Sequence, residues 1–153
     1  MANRPAPWIS RLYLGTVAAL ALTGMAQMPI FKRYYIADLP GLGWLADYYL
    51  TNKLHYGLAA LLLALCGFAL ARWLLDWRRR WRLTALGRTR VLLLAGLACT
   101  GGLRVLKNRP DWSFDPFTVM LVDWTHLGFA VLLGLAALAA VVAGRSAFVR
   151  PRD

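Results

Sequence analysis

The sequence predicts an all-α integral membrane protein, a four-helix bundle built from a tandem two-helix repeat. Three observations lead there: the composition, four long apolar runs, and a motif that recurs in the second half. Of 153 residues, 59% are hydrophobic and 16% charged. A soluble domain of this size has no interior to hold that apolar excess, so most of it must face lipid. The formal charge of +11 does not point to nucleic acid. The basic residues lie in short segments between apolar runs and are not interleaved with aromatics on a soluble face. All seven acids are Asp, and none lies deep inside an apolar run, which leaves no carboxylate pair for acid/base hydrolysis and no support for proton pumping. Cys66 and Cys99 stand singly, without CxxC or CxxCH spacing, and read as packing thiols. That argues against c-type haem attachment and against a cysteine-held iron–sulfur cluster.

A helix crossing a hydrocarbon core of about 30 Å needs about 20 residues. Four stretches qualify, at approximately 12–31, 54–75, 91–106 and 117–144, in one transmembrane domain covering the chain. The third is short and extends by letting flanking Arg side chains reach the interface; the fourth is long and starts as an interfacial turn after Pro116. Arg4 and Arg11 ahead of the first run resemble a signal peptide. The run is longer than an h-region, however, and Met25, Ala26, Gln27 and Met28 lead on to Phe31, Tyr34 and Tyr35, so a retained first span is expected.

Orientation follows from the basic residues. The N-terminus, the connection between spans two and three and the C-terminus hold twelve: Arg4, Arg11, Arg72, Arg78, Arg79, Arg80, Arg82, Arg88, Arg90, Arg145, Arg150 and Arg152. The other two connections hold six, offset by Asp38, Asp47, Asp111, Asp115 and Asp123. Positive residues stay inside, so both termini are expected to be cytoplasmic. Trp73, Trp77 and Trp81 on one side, and Tyr34, Tyr35, Trp44, Tyr48, Tyr49, Trp112 and Trp124 on the other, fit aromatic belts.

The halves repeat. Span one carries Leu-Ala-Leu-Thr-Gly ending at Gly24, and span three Leu-Ala-Cys-Thr-Gly ending at Gly101. Spans two and four then open with His55-x-Gly57-x-Ala59 and His126-x-Gly128-x-Ala130, each with a polar residue three positions earlier, Asn52 and Asp123. The only two histidines thus occupy equivalent positions in helices that run the same way. Ionisable side chains within spans mark functional sites, and residues at i and i+4 share a helix face, which puts the small Ala59 and Ala130 below the imidazoles. Two matched imidazoles with room between them predict axial ligation of one haem b, near the non-cytoplasmic face. For either histidine alone, an interfacial polar residue is the simpler reading. Zinc would need two further ligands that the chain does not supply. Asp123 and, more weakly, Asn52 are candidates to orient the histidines, or alternatively helix caps. Arg104, with Lys53, Lys107 and Arg109, is a candidate for the haem propionates, and otherwise for lipid phosphates. Gly24, Gly57, Gly101 and Gly128 allow close packing with or without a cofactor.

At these residues the chain resembles the four-helix membrane cytochrome b subunits that anchor respiratory formate dehydrogenases (the gamma subunit) and hydrogenases and include bacterial cytochrome b561. The match is in the four-span layout and the intramembrane histidines. The stretch from Gln27 to His55 also resembles a small bacterial membrane protein labelled iron–sulfur or ferredoxin-like, without its cluster cysteines. Members of the cytochrome family often hold two haems on about four histidines, whereas this chain has histidines for one bis-His site. The resemblance implies an electron-transfer subunit of a bacterial inner-membrane redox complex, exchanging electrons between the quinone pool and a partner redox subunit, with a quinone as a second candidate ligand. A bis-His haem has no open coordination position, which fits electron transfer and not oxygen chemistry. The competing reading is a haem-free membrane anchor that docks a redox partner and contributes to a quinone site. A small transporter is disfavoured by the lack of carboxylates in the spans and of Gly/Pro-broken paired helices.

Overall fold

The computed structural model describes residues 7–28, 30–144 and 148–152, so Arg4 and Arg145 lie outside the described residues. Four helices are long and apolar enough to cross a membrane. The protein is an all-α, multi-pass membrane protein, and the chain divides into two compact units, Met1–Leu75 and Asp76–Asp153. Each unit is one helix pair, and the division falls between the two halves of the sequence repeat.

In the first unit, α1 (Pro7–Ala26) packs against α3 (Tyr48–Arg72). Helix α1 stops before the expected end of span one. Pro29 has no amide proton to give and disfavours helix in the residue before it, and Phe31 belongs to a separate turn, α2 (Ile30–Arg33). The connector expected to be a loop is a folded cap. Phe31, Ala26 and Leu45 form its buried centre, with Ile36, Ala37, Leu42 and Trp44 packed around them, and two 3-10 turns (Ile36–Asp38 and Gly43–Ala46) carry the chain through it. Helix α3 starts ahead of the apolar run because Asp47 caps it. The Leu50 amide donates to the Asp47 carboxylate at 3.0 Å, satisfying one of the amides a helix start leaves open.

A π turn (Trp73–Trp77) carries the chain from the first unit into the second, where the short α4 (Arg78–Arg80) precedes β1 (Trp81–Leu83). Helices α5 (Ala85–Lys107) and α6 (Pro116–Val142) then form the second pair. Thr84 caps α5, its hydroxyl accepting from the Gly87 amide at 2.9 Å. Asp115 caps α6, accepting from the Phe117 and Thr118 amides at 3.1 Å, with Pro116 in the first turn where its missing amide costs nothing. The Thr118 hydroxyl and amide hold the Asp115 carboxyl below its ordinary pKa.

Few side chains are buried. Among the described residues the buried apolar ones are Ala26, Phe31, Leu45, Leu133 and Ala140, while Leu135, Leu138 and Val141 of α6 are 57%, 61% and 67% exposed. Leucines at that exposure are stable only in lipid or against another protein. The buried polar residues follow the same logic. Thr16, Thr23, Thr51 and Thr100 each donate their hydroxyl to the carbonyl four residues earlier, at 2.8 Å in every case, so these four hydroxyl protons are satisfied within their own helices.

The α5–α6 interface closes on Gly96, where a Cβ would lie 2.8 Å from Cζ of Phe129. The repeat places Ala19 and Leu58 at the corresponding positions of the first half.

Beyond α6, β2 (Val149–Pro151) returns to pair antiparallel with β1, Arg82 opposite Arg150. This two-stranded ribbon is the one departure from an all-helical chain among the described residues. It is pinned by the Phe148 carbonyl, which accepts from the Thr84 amide at 3.0 Å, and by the Arg90 guanidinium, 3.8 Å over the Phe148 ring. The start of α5 and the end of α6 therefore lie on the same side of this unit. Gly87 makes the close approach possible, because a Cβ there would collide with the Phe148 carbonyl. Gly87→Ala should release β2 although alanine favours helix. Overpacking of about 1–3 kcal/mol raises the open population about 5- to 150-fold, and limited trypsin digestion should cut after Arg82, in the strand that loses its partner, correspondingly faster.

Candidate functional site

Each helix pair builds the same polar contact. Thr23 of α1 lies 3.0 Å from His55 Nδ1 of α3, and Thr100 of α5 lies 2.9 Å from His126 Nδ1 of α6. The threonine protons are already placed. Thr23 donates to the Ala19 carbonyl and Thr100 to the Gly96 carbonyl, both at 2.8 Å. A hydroxyl has one proton, so the tautomer we assign to each ring is the one with the hydrogen on Nδ1 and the threonine oxygen accepting. In that neutral tautomer the lone pair is on Nε2.

The neighbouring glycines complete the arrangement. A Cβ on Gly24 would stand 3.3 Å from Cε1 of His55, and one on Gly101 would stand 3.5 Å from Cε1 of His126. The Thr-Gly pair thus serves twice, with the hydroxyl orienting the ring and the glycine making room for its edge. Both histidines are half-buried. His55 lies about two turns into α3 and His126 about three turns into α6, deeper in their helices than a residue opening a span, because capping starts both helices before the apolar runs.

The remaining candidates separate into groups. At Gly57 and Gly128 a Cβ would meet nothing within 4 Å, so the glycines that abut the imidazoles are Gly24 and Gly101. Ala59 is half-buried, while Ala130 and Lys53 are exposed. Arg104 is occupied with Asp123, its Nε 2.9 Å from the carboxylate, and Lys107 reaches the same carboxylate at 2.6 Å. Asp123 therefore neither caps α6, where Asp115 stands, nor orients His126, whose Nδ1 partner is Thr100. By the repeat, Gln27 and Asn52 occupy the positions of Arg104 and Asp123 in the first half. The second histidine thus has an ionic cluster one turn away that the first replaces with amides.

The functional residues that sequence reasoning did not assign are Thr23 and Thr100. Their signal was present in the recurring Thr-Gly of spans one and three. In each unit one imidazole is held through Nδ1 by a threonine, with a glycine beside the ring edge. No cluster of three or more His, Cys, Asp or Glu side chains is found among the described residues. Comparison of the chain with known protein families, curated proteins and solved structures finds no match.

Proposed function

We propose that the protein is a membrane-embedded b-type cytochrome subunit of a respiratory redox complex, with one haem b whose axial ligands are His55 and His126. It would transfer electrons between the quinone pool and a partner redox protein, near the non-cytoplasmic face of a bacterial inner membrane. The observation that carries this reading is the Thr–His contact through Nδ1, built twice. When bound, a bis-His haem supplies one-electron transfer without an open coordination position. The chain's own residues set the conditions for that. Thr23 and Thr100 fix the tautomer and plane of each ring, which also raises the basicity of Nε2. Gly24 and Gly101 let the rings lie close to α1 and α5, and the lipid-facing leucines keep water from the helices. Asp123, Arg104 and Lys107 together leave one positive charge near His126, which favours an anionic group such as a propionate on that side; Lys53 is the candidate for the first half.

The contact also favours a second reading. A hydrogen bond between helices in lipid contributes about 0.6–2 kcal/mol, so the same pair would clip together the helices of a haem-free anchor that docks a redox partner. One measurement separates the two. Full-length protein purified from a haem-replete membrane should give a low-spin b-type spectrum that sharpens on dithionite reduction, with one haem per chain. A colourless, folded protein would leave the anchor.

A further inference from the structure

We infer that the ionic cluster of Arg104, Lys107 and Asp123 raises the reduction potential of the haem through the charge it holds beside His126, an inference that rests on the bis-His reading above and deepens it. The backbone brings the cluster there. Arg104 lies one turn after Thr100 on α5, and Asp123 one turn before His126 on α6. Residues three or four apart share a helix face. The interface that joins Thr100 to His126 Nδ1 at 2.9 Å therefore continues, one turn on, into the contact of Arg104 Nε with Asp123 at 2.9 Å. Lys107, at the end of α5, closes on the same carboxylate at 2.6 Å. Arg104 and Asp123 are both near enough to act electrostatically on the His126 ring.

Helix packing alone does not call for charge here. The first unit has the neutral Gln27 and Asn52 at the two corresponding positions and still packs α1 against α3. What the second unit adds is two cations against one carboxylate, a surplus of one positive charge. The Arg104, Asp123 and Lys107 side chains are 26%, 37% and 15% exposed, so water and salt screen that surplus only in part.

Reduction places one electron on the iron, Fe(III) becoming Fe(II), with no bond made or broken, so the charge of the centre falls by one. A positive charge held nearby favours the reduced form over the oxidised one. The carboxylate opposes this and the two cations supply it, so the three residues should act on the potential with opposite signs.

Potentiometric titration of the full-length protein at fixed pH, with dithionite as reductant in the presence of redox mediators and the haem bands as readout, tests this. Asp123→Asn raises the surplus to two and should increase the reduced-to-oxidised ratio at a given potential about tenfold, an upward shift of about 59 mV for one electron. Arg104→Gln cancels the surplus and should lower the potential by a similar amount. The double variant Asp123→Asn/Arg104→Gln restores a surplus of one, carried by Lys107, and should return close to the unaltered value. Arg104→Lys keeps the charge and should leave the potential in place. Single variants that shift in the same direction, or a double variant that departs further than either, would overturn the inference by showing a packing role. Haem loss from Arg104→Gln with an unchanged potential in the haem that remains would also overturn it, by assigning the arginine to anchoring a propionate. A colourless unaltered protein would overturn the bis-His reading and this inference with it, whereas a low-spin haem whose potential ignores the cluster would overturn the inference alone.

Discussion

His55→Ala and His126→Ala are each expected to yield protein with no low-spin haem spectrum. Low spin needs two strong axial nitrogens, and each variant removes one of the only two imidazoles in the chain. The loss should be complete and not graded, because no other histidine can substitute. Any haem left should show the high-spin spectrum of a five-coordinate iron, loosely held and lost on washing. The substitutions also remove an interhelical hydrogen bond, but at about 0.6–2 kcal/mol that is too little to unfold a helix pair. A monodisperse, helical variant without low-spin haem is therefore the anticipated result. Adding imidazole should restore low-spin character, since a free ligand can occupy the space the side chain leaves. A full low-spin spectrum in either variant would show that the histidines are not both ligands.

The parts of the fold governed by hydrophobicity were legible in the sequence, and those governed by capping were not. The four spans follow from apolar runs alone. Their ends do not, because Asp47, Thr84 and Asp115 start helices ahead of the lipid-soluble residues, and a hydropathy boundary marks where lipid begins, not where hydrogen bonding begins. The cap centred on Phe31 and Leu45 was hidden because its apolar residues are spaced irregularly through a polar stretch. The ribbon was hidden for a different reason. Arg150 and Arg82 are far apart in sequence, and nothing local in Val149–Pro151 announces a partner.

At the site, the repeat singled out the histidines and also contained their partners, since the same alignment that matches His55 with His126 matches Thr23 with Thr100. What it could not show was which polar neighbour each ring would choose. Asp123 is closer in sequence to His126 and carries the stronger charge, yet it pairs with Arg104 and Lys107. An ionised carboxylate this near lipid gains more from two cations than from one neutral imidazole, and the ring is left to the threonine across the interface.

That division of labour yields the second large effect. Thr23→Val and Thr100→Val keep the shape of a buried side chain and remove only the oxygen that accepts from Nδ1. An imidazole N–H left unpaired in the interior costs about 1–3 kcal/mol, and the ring can avoid that cost by rotating or by moving its proton to Nε2, which removes the ligating lone pair. Either response should weaken haem retention about 10–100-fold, the usual loss when a ligand's hydrogen-bond partner is removed. Haem titration of the apoprotein measures it, and electron paramagnetic resonance of the oxidised protein should show changed g-values as the ring planes turn. Thr23→Ser and Thr100→Ser retain the hydroxyl and should restore both readouts, which a purely packing role would not explain. The two halves should also differ. His126 has Arg104, Lys107 and Asp123 one turn away to resist reorientation, whereas His55 has amides at those positions, so Thr23→Val should disturb the spectrum more than Thr100→Val. Valine variants that lose thermal stability but bind haem with unchanged affinity and g-values would reduce the Thr–His pairs to helix clips.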